Sequence, residues 1–259
     1  MAESFGTDAE RYDRARPEYP DVLVRRLVEG SPGPEVLDVG CGTGIAARQF
    51  QTAGCTVLGI EPDARMADFA RSRGLTVEVA TFAAWQQSGR MFDTVIAAQS
   101  WHWVDPVAGP AKAAQVLRPG GRLAIFGHVF EPPIGVAEPF AAAYARVAPD
   151  SPFGQLPARR ALETYQAGYR KFADAIRDTD QFAELEQWQY DWEHTYTRDE
   201  WLDFLPTTGG LTSLRPDQLA EILDAVGSAI DSLGGRYTLQ YTTLATTAVR
   251  KGNLTAPSL

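Results

Sequence analysis

The chain has 259 residues, enough to bury a full core as one large α/β domain or as one domain with a sizeable insertion. Its net charge of −9, from 33 acidic and 24 basic residues, argues against a nucleic-acid partner, which needs a concentrated basic patch, and no Lys/Arg run overturns that average. No stretch has the roughly 18 uninterrupted apolar residues of a membrane span, and the first twenty residues lack the apolar core of a signal peptide. Cys41 and Cys55 make neither a disulfide framework nor a zinc spacing, so a cytoplasmic protein without a metal site is expected.

The first half alternates strand and helix. Residues 36–40 are a short apolar run, as expected of a strand buried on both faces. A helix follows from about Gly44, with Gly54 as its C-terminal stop. Residues 56–60 read as a second buried strand. Asp63 is placed to cap the next helix, in which Met66, Phe69 and Ala70 sit at helical spacing before Gly74 ends it. Residues 75–79 and 93–98 are the third and fourth strands. Asp105-Pro106 opens a helix running to about Leu117. Arg118-Pro119-Gly120-Gly121 is a tight turn before a fifth strand at 122–126.

From Glu131 the pattern breaks, with prolines at 132, 133, 139, 149, 152 and 157. Leu162, Tyr165, Tyr169, Phe172 and Ile176 form one apolar stripe at helical spacing, so 131–186 reads as a mostly helical insertion. Trp188, Tyr190, Trp192, His194 and Tyr196 then alternate with polar residues, a strand with one aromatic face. That face either packs as core or lines a hydrophobic pocket; core is the commoner use of such stripes, and His194 is read as structural. A helix follows Pro216 and stops at Gly234-Gly235. Residues 237–249 make a last, Thr- and Tyr-rich strand, and the tail from Lys251 is expected to fray.

The chemistry concentrates at residues 36–44. A buried strand carrying Asp38 ends in Gly40-x-Gly42-x-Gly44, and a helix begins. Glycines there permit positive φ and let a ligand lie on bare backbone, while the helix start supplies free N–H groups. Glu61 ends the second strand, where an acidic side chain accepts hydrogen bonds from ribose hydroxyls. A nicotinamide dehydrogenase is the competing reading. Its G-x-G-x-x-G fingerprint fails because position 45 is Ile, Asp38 is no part of that fingerprint, and no Tyr-x-x-x-Lys pair occurs. His102 and His128 follow the fourth and fifth strands, at the sheet edge where open α/β folds bind ligands. His102 could act as a base on a protonated nucleophile, or be a ring wedged between Trp101 and Trp103 that shapes the pocket.

Asp38 to Gly44 followed by Glu61 resembles the S-adenosylmethionine (SAM) motif of class I methyltransferases. Gln99 to Asp105 is similar to the segment after strand four in the small-molecule subgroup that includes trans-aconitate methyltransferases. Arg118 to Gly121 resembles the family's turn before strand five. Tyr12 and Arg16-Pro17 resemble an N-terminal segment that closes over the methionine part of SAM. The likeness covers 1–127 and resumes near 188–250.

The resemblance implies that Gly40, Gly42 and Gly44 wrap the methionine and ribose, and that Glu61 holds the ribose hydroxyls. Met66 and Phe82 would flank the adenine, with Thr81 facing it. Gln99 would lie beneath the sulfonium and Arg16 toward the carboxylate, with Tyr12 and Asp38 part of the cofactor set. Trp101, Trp103 and His128 would line the acceptor pocket. The expected fold is a doubly wound, mostly parallel seven-stranded Rossmann-like methyltransferase sheet, its last strand antiparallel beside strand five. Residues 1–130 would form the SAM-binding half with its lid segment, 131–186 a helical acceptor cap, and 187–250 the remainder of the same domain. The implied activity is methyl transfer from SAM to an O, N or C nucleophile of a small molecule. A SAM-binding protein of this fold without methyl transfer is the alternative, and nothing in the pattern sets an oligomeric state.

Overall fold

The computed structural model describes residues 2–149, 151 and 161–252. Pro152, Pro157 and the tail beyond Gly252 lie outside the described residues.

Seven strands form one sheet in the order β3-β2-β1-β4-β5-β7-β6. They are β1 (Glu35–Val39), β2 (Thr56–Glu61), β3 (Thr76–Val79), β4 (Phe92–Ala98), β5 (Leu117–Phe130), β6 (Phe182–Thr197) and β7 (Arg236–Arg250). The pairs β1–β2, β1–β4, β2–β3 and β4–β5 are parallel. β7 runs antiparallel to β5. As β5 advances through Leu117, Arg122 and His128, their partners on β7 fall back through Arg250, Thr247 and Thr243. β6 and β7 are antiparallel in the same way, pairing Gln187 with Thr246, Asp191 with Thr242, Glu193 with Gln240 and Thr195 with Thr238. The parallel strands need crossovers, and helices supply them.

Helices α1 (Ala9–Ala15) and α2 (Asp21–Glu29) precede β1, and the helices between the parallel strands begin and end where local chemistry dictates. Gly44, at φ +88°, opens α3 (Ile45–Thr52). The Asp63 side chain accepts from Arg65 N and caps α4 (Ala64–Ser72). Asp105 Oδ1 accepts from the backbone N–H groups of Val107 and Ala108 ahead of α5 (Ala108–Val116). Gly54 and Gly74, at φ +91° and +89°, follow α3 and α4 as left-handed stops.

The turn expected at Arg118–Gly121 is an interruption within one strand. Leu117 lies opposite Phe92 and Arg122 opposite Thr94, so β5 shifts register by three residues against β4. The loop carries an ion pair from Arg118 to buried Asp93 at 2.9 Å, and Asp93 also accepts from Glu35 N. β5 then continues past Phe126 to Phe130, because Leu123 through Val129 are all buried. β6 likewise begins at Phe182, six residues before the aromatic alternation starts.

The chain divides into two compact units. One comprises Glu18–His128, Gln166–Tyr190 and the strand from Thr243 on; the other comprises the chain up to Pro17, Val129–Tyr165 and Asp191–Thr242. Each has its own core. In the first, Leu23, Leu27, Phe50, Ile96, Ala124 and Phe126 are buried together. In the second, Tyr144, Tyr196, Trp201, Phe204, Ile222 and Tyr241 form an aromatic and aliphatic cluster between α6 (Ile134–Val147), α8 (Arg198–Phe204), α9 (Pro216–Ser232) and the strands. The insertion's helices fall on both sides of this division, since α7 (Ala161–Asp178) lies mostly in the first unit and α6 in the second. Of the apolar stripe on α7, Tyr169 and Ile176 are buried while Tyr165 is exposed.

The two ends of the aromatic face of β6, Trp188 and Tyr196, are buried, Tyr190 and Trp192 are half-buried, and His194 departs from it. Trp188 lies under the Arg26 guanidinium at 3.8 Å. Trp192 stacks on Tyr241 at 4.3 Å, and the Tyr196 and Tyr241 hydroxyls are hydrogen-bonded at 2.7 Å. His194 is exposed, edge-on to Tyr196.

Candidate functional site

The loop after β1 is tied to β2 through its backbone. The N–H groups of Gly40 and Cys41 both donate to Ile60 O, at 2.8 and 3.1 Å, and Gly44 N donates to Cys41 O. Gly40, Gly42 and Gly44 all have positive φ, at +69°, +55° and +88°. Gly40 is also a steric requirement. A Cβ there would lie 2.6 Å from Ser100 Cβ, and the Ser100 hydroxyl is held by donating to Val39 O. At Gly42 a Cβ would meet only Met66 Cε, at 4.0 Å, so this stretch of backbone is bare.

Glu61 is the hub of the loop. One carboxylate oxygen accepts from Gly42 N and the other from Asp63 N, both at 2.9 Å. Burial pushes its pKa up, and the two N–H donors oppose that. Each oxygen retains a second lone-pair direction for a further donor. Asp63 takes its charge partner from Arg65, at 2.7 Å, which holds its carboxyl below the usual range.

Asp38 is the anomaly. It is fully buried between β2 and β4, opposite Gly59 and Ile96, and neither carboxylate oxygen has a hydrogen-bond partner among the described residues. Burial, followed by the charge of Glu61, pushes its pKa up to about 8. The buried Thr43 hydroxyl is likewise without a partner. Burial and the charges of Asp38 and Glu61 raise the Cys41 thiol well above its ordinary value, which removes it as a nucleophile. Buried polar groups left in this way are rare and call for an explanation.

The other residues expected at the site are placed as follows. Met66 and Phe82 are buried, and Phe82 packs on buried Trp101 at 6.1 Å. Thr81 is exposed and opens the turn after β3, its carbonyl accepting from Ala84 N and Trp85 N. Gln99 has φ +60°, uncommon for a residue with a side chain. Its backbone N–H donates to Phe126 O and its amide to His128 O. Tyr169 Oη and Gln99 Oε1 both lie against Gly127, within 2.8 Å of where a Cβ would stand. His128 is buried, stacked on Tyr19 at 4.4 Å and hydrogen-bonded through Nδ1 to Thr243.

His102 and Trp103 lie on a 3-10 turn, both exposed, with their rings 4.6 Å apart. Packing on one side of the imidazole holds its pKa below the ordinary value, and no charged group contributes to that shift.

The structure therefore brings together Asp38, the three glycines, Glu61 and Met66, with Phe82 beside Trp101. Tyr12 and Arg16 belong to the other unit. There the Arg16 guanidinium lies 5.0 Å from the rings of Tyr12 and Phe204 and donates to the hydroxyl and carbonyl of Thr207. Sequence reasoning missed Ser100, Thr43, Tyr19 and Tyr169. Only Ser100 carried a signal, as a small polar residue at the end of a strand beside the glycine loop. Among the described residues no cluster of His, Cys, Asp or Glu is arranged to hold a metal ion, and no helix is long and apolar enough to cross a membrane.

Residues 36–121 match the methyltransferase-domain family. An uncharacterised methyltransferase of Mycobacterium tuberculosis is 36% identical over 128 residues, which are 48% of this chain and 52% of that protein. The match thus spans about half the length of this curated relative. A solved structure from Anaeromyxobacter dehalogenans, assigned provisionally to the type II methyltransferases, is 25% identical with a TM-score of 0.59, covering 91% of this chain and 97% of its own. Phosphoethanolamine N-methyltransferase 2 of Haemonchus contortus, solved with S-adenosylhomocysteine, shares the fold alone. It is 16% identical, with a TM-score of 0.53, covering 97% of this chain and 60% of that one. The sheet is the Rossmann-like methyltransferase sheet.

Proposed function

We propose that the chain transfers a methyl group from SAM to a small-molecule acceptor. The observation that carries this reading is the glycine loop closed by Glu61 above a buried Asp38 that has no hydrogen-bond partner among the described residues. The methyltransferase-domain match over the same residues supports it, as does the Haemonchus enzyme of the same fold, which holds S-adenosylhomocysteine.

The residues present fit that cofactor. Glu61 is oriented by two backbone N–H groups and has acceptor capacity left for ribose hydroxyls. Gly42 presents bare backbone beside Met66, and Phe82 offers an apolar flank for a flat base. Asp38, buried with no hydrogen-bond partner among the described residues, can take a cationic partner such as an amino-acid ammonium. When bound, SAM supplies a methyl group on a positively charged sulfur. The protein's contribution is alignment of the acceptor with that carbon and exclusion of water. Gln99, tethered at β4, is a fixed amide at the carboxyl ends of the strands, where open α/β sheets bind ligands.

The likeness of Gln99 to Asp105, and of Tyr12 and Arg16-Pro17, to the trans-aconitate subgroup supports a small acceptor bearing a carboxylate. Such an acceptor is already ionised at neutral pH and needs no base. His102, whose pKa burial lowers and on which no charged group acts, then shapes the pocket with Trp101 and Trp103. The test is calorimetry of the purified chain with S-adenosylhomocysteine and with NAD. Binding of the first and not the second is expected; NAD binding without S-adenosylhomocysteine binding refutes the proposal.

A further inference from the structure

Asp38 poses a charge problem that the fold leaves unsolved. Its carboxylate has no solvent access and no hydrogen bond among the described residues. The strand neighbours facing it, Gly59 on β2 and Ile96 on β4, bring no charge. The titratable groups acting near it are Glu61, an anion that repels a second one, and the Cys41 thiol of the loop. Among the described residues no cation acts on Asp38; Arg71, whose charge reaches Cys41, makes its hydrogen bonds to Val77 O and Asp68. The Arg65 guanidinium is spent on Asp63, and Arg48 Nη1 donates to Thr43 O. An ionised carboxylate in that setting costs far more than the neutral acid, whose penalty is that of an ordinary polar group. The neutral form is the one this packing tolerates.

We propose that Asp38 is held as the uncharged acid in the ligand-free protein and gives up its proton when the ammonium group of the cofactor's amino-acid end arrives, so that cofactor binding releases a proton to solvent. The inference rests on the SAM reading. The balance is simple. The O–H bond of Asp38 breaks, the proton passes to buffer, and the carboxylate charge left behind faces the ligand's ammonium instead of bare apolar packing. A cation within about 4–6 Å lowers a carboxyl pKa by about 1–3 units. Starting from about 8, that corresponds to roughly 0.4–0.9 protons released at pH 7. Affinity should then rise about two- to eightfold between pH 6.5 and 7.5. A carboxylate paired in the free protein would give neither effect.

The experiment is titration calorimetry of the intact chain with S-adenosylhomocysteine at pH 7, in buffers of low and high ionisation enthalpy. The slope of observed enthalpy against buffer enthalpy counts the protons. A release of about 0.4–0.9 is expected, and it should be lost in Asp38→Asn, which mimics the neutral acid in size and hydrogen bonding. Methylthioadenosine, which keeps the nucleoside and lacks the ammonium, should bind the wild type without releasing a proton. This second ligand keeps the test decisive should the variant fold poorly. Binding of S-adenosylhomocysteine with no proton release overturns the proposal and leaves the cofactor reading standing. Equal release in Asp38→Asn, or with methylthioadenosine, assigns the proton to another group and overturns it as well. Absence of any S-adenosylhomocysteine binding overturns the cofactor reading, and the proposal with it.

Discussion

Gly40 and Gly42 differ in why they must be glycine, and replacing each by alanine separates folding from binding. At Gly40 a methyl would stand 2.6 Å from Ser100 Cβ and 3.1 Å from its Oγ, where carbon atoms in contact need about 3.5–4.0 Å. Its φ of +69° adds the left-handed penalty of about 1–2 kcal/mol for a residue with a Cβ. Overpacking of this kind costs about 1–3 kcal/mol, so Gly40→Ala should lose about 2–5 kcal/mol in all. That is a large share of the roughly 5–15 kcal/mol that holds a domain together. At Gly42 the φ penalty is similar, but the methyl meets only Met66 Cε at 4.0 Å, so Gly42→Ala should lose only about 1–2 kcal/mol. Its methyl would instead occupy the bare backbone assigned to the ligand. Urea denaturation should rank Gly40→Ala well below Gly42→Ala in stability, and calorimetry should show the folded Gly42→Ala weakened toward S-adenosylhomocysteine. Adding Ser100→Gly to Gly40→Ala should restore part of the loss, a coupling of about 1–2 kcal/mol between touching residues. Equal destabilisation of the two alanine variants, or additive behaviour with Ser100→Gly, would refute this account of the loop.

Three further outcomes follow from the same geometry. Glu61→Gln keeps one acceptor oxygen, whereas Glu61→Ala strands the N–H groups of Gly42 and Asp63; stability and S-adenosylhomocysteine affinity should both fall in the order wild type, Gln, Ala, with about 1–3 kcal/mol per stranded donor, and unchanged affinity in the Ala variant would place the ribose elsewhere. Burial lowers the His102 pKa, so an NMR pH titration should give a midpoint below the ordinary histidine value; a raised midpoint would reveal an anionic partner and favour the base role. Tyr196→Phe removes the buried hydroxyl pair with Tyr241 and should lower stability by about 1 kcal/mol by denaturant melt without altering S-adenosylhomocysteine affinity, because that pair lies in the core of the other unit.

What could be read from the sequence alone was local in origin. The seven strand segments, the caps at Asp63 and Asp105, the glycine stops at Gly54 and Gly74, and the glycine loop between β1 and α3 each depend on residues a few positions apart. Backbone dihedral limits and side-chain periodicity act at that range. What only the tertiary structure decided depends on residues distant in sequence meeting in space. Glu61 reaches Gly42 N nineteen positions back, because β2 lies beside β1. Ser100 stands where a Gly40 side chain would be, because β4 flanks β1 on its other side. Arg16 finds Thr207 across 191 positions, a pairing that no spacing rule encodes. The Arg118 segment reads as a turn locally and becomes a bulge only because β5 pairs with β4 on both sides of it. Asp38 shows the difference most sharply. Its motif marked it as a site residue, but its lack of a hydrogen-bond partner among the described residues arises from being enclosed between Gly59 and Ile96, and packing, which composition cannot report, determines whether a buried carboxyl is solvated, paired or left to keep its proton.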